Sequence, residues 1–345
     1  MPAGSAFERE AGEIPALVAR QAEELPPQLV DVVARLDQLA PALVATIARG
    51  SSENAAAFAR YVIALRLGLP SLSVPLSIAS IYGRTMQLER ALALAISQSG
   101  TSPDLALAVH TARAGGAWCI GLVNEPGSPL GAELDVELRM GAGHEQAIAA
   151  TKTFVLSVTA ALHLIAAWTR DTALRTALAD LPSTLACCPL PDRAAATRIL
   201  RDSEQVFVVG RGPALPIAQE LALKLAEVTG LHAVAHSAAE LLHGPIATAS
   251  AATPAIVFAG DSHSEDSVRA AVKRLRSAGA PVLLLASEAD DRGSDELIQV
   301  PSAGHQLLQP VVSLFTIYPC LAHLARERGR SPDRSPHLEK NTRTR

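Results

Sequence analysis

Ser97-Gln98-Ser99-Gly100-Thr101-Ser102 places a knot of hydroxyls and a glycine between an apolar run and the next helix. Hydroxyl and amide donors without a positive charge, at a helix N-terminus whose N–H groups are open, suit an anion, most often a phosphate. The same residues are also compatible with a loop that only caps its helix. Lys224 and Glu227 form a second candidate, three apart and therefore on one helical face. By spacing alone they read as an exposed ion pair, and the apolar positions around them make a buried pair the alternative. His243 is the third. In His243-Gly244-Pro245 the glycine and proline stop a short helix and leave the histidine at its end, where the helix dipole also favours it.

These residues need elements to hold them. Ala91–Ile96 is apolar and short enough for a fully buried strand; Ser102 as N-cap, Pro103 at the first position and Asp104 in the first turn mark the helix after it. The chain also repeats itself. "IARGSSENAAAFARYVIALRLGLPSLSV" from Ile47 aligns with "VGRGPALPIAQELALKLAEVTGLHAVAH" from Val209 at a constant offset of 162, bringing Gly68 onto Gly230 and Asp104 onto Asp266. Each copy alternates strands with helices, which means parallel sheets joined by helical crossovers. The expected layout is a helical, mostly polar leader (1–39), a first α/β domain (40–170), a proline-containing linker (171–200), a second α/β domain (201–325) and a charged tail (326–345). The copies differ where chemistry would sit. "SQSGTS" in the first faces "AGDSHS" in the second, with an acid where an anion site would not want one, and Lys224 and Glu227 face Val62 and Leu65.

Composition excludes several classes. Nearly half of the 345 residues are apolar (49%) and the net charge is −4, which argues against a nucleic-acid or acidic-membrane surface. Cys119, Cys187, Cys188 and Cys320 show no CxxC pair or zinc spacing and read as reduced thiols, the adjacent two as packing residues. No basic-then-apolar leader is visible, and the longest apolar stretch, 154–168, is too short to span a bilayer, so a buried helix of a cytoplasmic protein is expected. No ligand cluster calls for a metal or an organic cofactor.

"ISQSG", "AATK" at 149–152, "ALKLAE" at 222–227 and "AELLHGP" at 239–245, in this order and spacing, resemble the double sugar-isomerase (SIS) domain family over about residues 40–345. Its best-known member is the isomerase half of glucosamine-6-phosphate synthase. "RGSSENAA", "SQSGTSPD", "GLVN" and the closing "LEKNTRTR" are most similar to its branch of type II glucosamine-6-phosphate deaminases. The resemblance implies two tandem SIS domains, each a flavodoxin-like three-layer αβα unit, and a tail packed over the site. It implies that Ser51, Ser52, Ser97, Gln98, Ser99 and Ser102 hold a sugar phosphate, and that Gly50, Ile148 and Ala149 line the pocket. Glu227 matches the base that moves a proton between C1 and C2, a task that needs limited water and a raised carboxyl pKa. Lys224 would orient Glu227, and His243 would open the sugar ring from across a homodimer interface. Lys340 would lie beside the open-chain sugar, although composition alone makes its tail disordered.

Two positions depart from the family pattern: Thr101 stands where the synthase has a glutamate, and His144 precedes Glu145 where a small residue or proline is expected. About forty residues ahead of the first domain are too few for a glutaminase domain. Amino-sugar 6-phosphate deamination to a ketose phosphate and ammonia is therefore the leading expectation. Plain aldose–ketose isomerisation comes second. A catalytically silent sugar-phosphate sensor is third, because the acidic leader offers no basic recognition helix.

Overall fold

The computed structural model describes residues 4–287 and 294–340. They divide into two compact units. One comprises Ile14–Glu145, Lys152–Pro182 and the tail from Glu339; the other comprises residues up to Glu13, Gln146–Thr151 and Ser183–Leu338.

The chain opens with a 34-residue helix, α1 (Ala6–Leu39). Ile14, Val18, Leu25, Leu29, Val32 and Leu36 recur along it at steps of three, four or seven and are all buried, giving the apolar stripe that makes a helix of a largely polar sequence. The first sheet follows: β1 (Leu43–Ile47), α2 (Ser51–Leu67), β2 (Ser71–Ser73), α3 (Ser77–Ser80), β3 (Ala91–Ser97), α4 (Pro103–Ala114), β4 (Trp118–Val123) and β5 (Val136–Arg139). All its pairings are parallel, in the order β2-β1-β3-β4-β5. Central β3 is buried over its whole length, as a parallel strand covered on both faces must be. Its alanines pack with Ala45 and Ile47 of β1 against Leu105, Ala108, Val109 and Ala112 of α4. Next come α5 (Lys152–Trp168), in which every residue but Ala167 is buried, and α6 (Thr172–Ala186).

The second sheet is built from α7 (Arg193–Leu200), β6 (Gln205–Gly210), α8 (Ala214–Lys224), β7 (His232–Ser237), α9 (Ala238–Leu241), β8 (Ala255–Phe258), α10 (Glu265–Ser277), β9 (Val282–Ala286), β10 (Glu296–Gln299) and α11 (Gln309–Glu327). Its order, β10-β9-β8-β6-β7, is that of the first sheet, again all parallel. The repeat read from the sequence is thus a repeat of fold. Gly68 and Gly230, paired by the 162-residue offset, end equivalent helices in the same left-handed conformation, at φ 66° and 70°.

The stretch 171–200, expected to join the two domains, contains two helices, α6 and α7, with Asp192 capping α7 through the N–H of Ala194 at 3.0 Å. Two expectations need correcting. Cys187 is exposed rather than packed, while its neighbour Cys188 is half-buried against the Thr316 hydroxyl at 3.2 Å. The tail is ordered as far as Lys340 despite its composition, because specific bonds hold it: Asp333 accepts from the Phe7 N–H at 2.9 Å and offers its carbonyl to the Ile148 N–H at 3.2 Å. The rest of the closing motif, residues 341–345, lies outside the described residues. Among the described residues no helix is long and apolar enough to cross a membrane.

Candidate functional site

The candidate residues fall into two groups, one in each unit. In the first, β1 and β3 are neighbours, with Ile47 paired to Ala95, so the loops that follow them emerge side by side at the carboxyl end of the sheet. This is where open parallel sheets place ligands. Ser51 and Ser52 begin α2 behind Gly50 and are half-buried.

After β3 the hydroxyls first organise the loop itself. Ser97 is buried and its Oγ accepts from the Gly100 N–H at 3.0 Å; Ser99 Oγ accepts from the Thr101 N–H at 3.3 Å and hydroxyl at 3.0 Å. Each serine keeps its own proton to donate. Gly100 is required here: its φ is 61°, and a Cβ would stand 2.1 Å from Ser128 Oγ. Ser102 occupies the N-cap position of α4 as expected, but its side chain makes no capping bond, so the reading of its hydroxyl as a cap is corrected. Gln98 and Ser99 are half-buried beside it.

Asp104, 2% exposed at the start of α4, would repel an anion in this loop. Arg49, on the loop after β1, forms an ion pair with it. The arginine therefore offsets the acid's charge beside the serine loops.

Lys340 belongs to the same unit. Its Nζ lies 3.0 Å from Glu145 Oε2, and Glu145 is wholly buried, accepting also from the Thr153 hydroxyl at 2.6 Å. The sequence marks Glu145 only as a departure in its neighbour His144, which is exposed. Nothing in local spacing could link residues 195 apart.

The second group sits where α8 gives way to a π-helical turn, Leu225–Thr229, that carries Glu227. Such turns are rare and concentrate at functional positions. Lys224 is fully buried, with Nζ 2.5 Å from Glu227 Oε2 and 3.3 Å from Glu220 Oε1; Glu220 is buried too, and Glu227 is 18% exposed. The spacing-only reading of an exposed ion pair is thus overturned. Burial opposes the Lys224 charge, but the two carboxylates and their hydrogen bonds outweigh it and raise its pKa above the ordinary lysine value. Glu220 was missed by the sequence reading, although its place one turn before Lys224 is an i,i+4 signal.

In the same unit Ile148 is half-buried and Ala149 buried. His243 is exposed just beyond the four-residue α9, its N–H on the Glu240 carbonyl at 3.0 Å. No side-chain bond to its imidazole is present among the described residues. Among those residues, no group of three or more His, Cys, Asp or Glu is arranged to hold a metal ion.

Comparison with known proteins matches the SIS domain twice, over residues 43–167 and 199–324. The isomerising glutamine–fructose-6-phosphate aminotransferase of Halobacterium salinarum is 36% identical over 311 residues, 86% of this chain and 51% of that protein. The chain therefore spans about half the length of the curated relatives it matches. A candidate phosphosugar isomerase of known structure from Silicibacter pomeroyi is 36% identical, with TM-score 0.85 over 95% of this chain and 100% of that one. The glucosamine-6-phosphate deaminase of Thermotoga maritima, at 23% identity, has TM-score 0.74 over 99% of this chain and 100% of that one and shares the fold.

Proposed function

Because the chain belongs to the SIS domain family, we propose that it is a phosphosugar enzyme that moves a proton between C1 and C2 of an amino-sugar 6-phosphate. The observation that carries this reading is the buried Lys224 between Glu220 and Glu227. Burying an ammonium with two carboxylates is costly, and such clusters need a reason to persist. Acid–base work by the partly exposed Glu227 supplies one.

In this reading Ser51, Ser52, Ser97, Gln98, Ser99 and Ser102 hold the phosphate, whose binding energy, remote from the reacting carbons, positions the sugar. His243 opens the ring. Glu227 takes the C2 proton while the C1 carbonyl oxygen gains one, giving an enolamine. Return of the proton from Glu227 to C1, with loss of an N–H proton, leaves a C1 hydroxyl and a C2 imine from a 2-amino sugar. Water adds to the imine carbon, and the amine leaves as ammonia with a proton, giving the ketose 6-phosphate. A departing amine needs a proton donor, and an ammonium held by a buried carboxylate, Lys340 on Glu145, is suited to that. This supports deamination over plain isomerisation. The second reading, isomerisation without nitrogen chemistry, is supported by the likeness to the Silicibacter pomeroyi protein.

His243, exposed at the end of α9, fits a residue donated to a second copy in a homodimer. Full activity in a monomer would contradict that part of the reading.

The test is to incubate the purified protein with glucosamine 6-phosphate and galactosamine 6-phosphate and to measure ammonia and ketose phosphate together. Equal amounts of both products are expected. Ketose formed only from unaminated sugar phosphates would favour the isomerase. Binding without turnover of any sugar phosphate would overturn the enzyme reading in favour of a sensor.

A further inference from the structure

Glu10 lies on α1, in the stretch that composition treats as a leader, yet it is only 5% exposed. Its carboxylate accepts two backbone N–H groups from far along the chain, Gln146 on Oε1 at 2.5 Å and Ala147 on Oε2 at 3.1 Å. The next amide, Ile148 N–H, donates to the Asp333 carbonyl at 3.2 Å, and the Asp333 carboxylate in turn accepts from Phe7 N–H, three residues before Glu10. Three successive amides are therefore held, two by α1 directly and one by a tail that α1 itself fastens.

Residues 145–150 belong to no helix or strand, so their order comes from such acceptors rather than from a ladder. A carboxylate is the stronger choice for the purpose, since charge-assisted bonds to backbone N–H are roughly twice as strong as neutral ones. The third of the held amides is that of Ile148 itself, and Ala149 follows it directly.

We propose that Glu10 is a positioning residue of the sugar-binding site, fixing the backbone that presents Ile148 and Ala149 to the sugar. This rests on the sugar-phosphate reading given above. It makes the N-terminal helix part of the site's machinery: Glu10 sets how the sugar ring is seated, while the phosphate is held by the serine loops.

The two ligand parts can be separated by experiment. Affinities for glucose 6-phosphate and for inorganic phosphate are measured by calorimetry on the full chain and on Glu10→Ala, with thermal melting as a check of folding. The variant should bind glucose 6-phosphate about tenfold more weakly or worse, the scale expected when a positioning contact is lost, and inorganic phosphate as the parent does. If Glu10→Ala does not fold, Glu10→Gln, which keeps one acceptor oxygen, is used and should show a smaller loss confined to the sugar phosphate. A folded variant whose two affinities are unchanged, or fall in parallel, overturns the inference and leaves the sugar-phosphate reading standing. A parent protein that binds no glucose 6-phosphate overturns that reading and the inference with it.

Discussion

Ser99 and Asp261 occupy the same position in the two copies of the fold, 162 residues apart, and they treat the same loop in opposite ways. In the first copy Ser99 braces the loop through Thr101 with a neutral hydroxyl. In the second, Asp261 supplies an anion from the chain itself: its Oδ1 accepts from the N–H groups of His263 (3.0 Å) and Ser264 (2.9 Å) and from the Ser264 hydroxyl (2.8 Å). A carboxylate already satisfying those donors bars a phosphate from the seat. The helix ahead of that loop shows the reverse asymmetry, with buried Val62 in the first copy and the Glu220–Lys224–Glu227 cluster in the second. The two copies share one frame, and a handful of side chains differ between them; in the proposed function those differences make the first copy the receptor and the second the source of acid–base groups.

The largest effect expected on stability is at that cluster. Lys224→Met keeps the volume but leaves buried Glu220 without its ammonium, and should cost roughly 3–5 kcal/mol in denaturant unfolding. A loss below about 1 kcal/mol would mean that water reaches the cluster and that the pair resembles an exposed one.

The first copy has a sensitivity of its own. Burial pushes His163 of α5 down to about 4, and its Nε2 has no hydrogen-bond partner among the described residues. Unfolding returns the imidazole to its ordinary value, so between about pH 6.5 and pH 4 the unfolded chain binds more protons than the folded one. Stability is then complete above about pH 6.5 and falls by about 3 kcal/mol as the pH drops through that window. His163→Phe should flatten this fall; an unaltered pH profile in that variant would place the acid sensitivity elsewhere.

Ser99→Ala should weaken glucose 6-phosphate binding by roughly 1–3 kcal/mol, the scale of a hydrogen bond to a charged group. Unchanged affinity would remove the loop from the site. At the smallest end, Asp261→Ala should lower thermal stability by about 1 kcal/mol, as loss of a helix-start acceptor does, with sugar-phosphate affinity untouched. A drop in that affinity would show that the second copy's loop also binds substrate, and the contrast between the copies would fail.

The sequence made some of this visible and hid the rest for physical reasons. Periodicity and the glycine-marked repeat were sufficient for two parallel sheets, because alternating strands and helices admit few other arrangements. The hydroxyl loop was legible because its chemistry is contiguous from Ser97 to Ser102. Lys224 was read as exposed from spacing because i,i+3 spacing is the same on a surface or in a core; only the surrounding fold distinguishes them. Glu145 and Glu10 could not be found locally at all. Their partners, Lys340 and the amides of Gln146 and Ala147, stand 195, 136 and 137 residues away, and one partner lies in a tail whose composition reads as disordered.

The division of labour between the copies is tested most directly by Glu227→Gln, with turnover of glucosamine 6-phosphate and affinity for glucose 6-phosphate measured on the same preparation. Turnover should fall by about a hundredfold or more, as general-base losses do, while affinity stays within about twofold of the parent, since the proposed function has the serines of the other copy hold the phosphate. Affinity falling in step with turnover would contradict the account, because the acid–base copy would then be a binding copy as well.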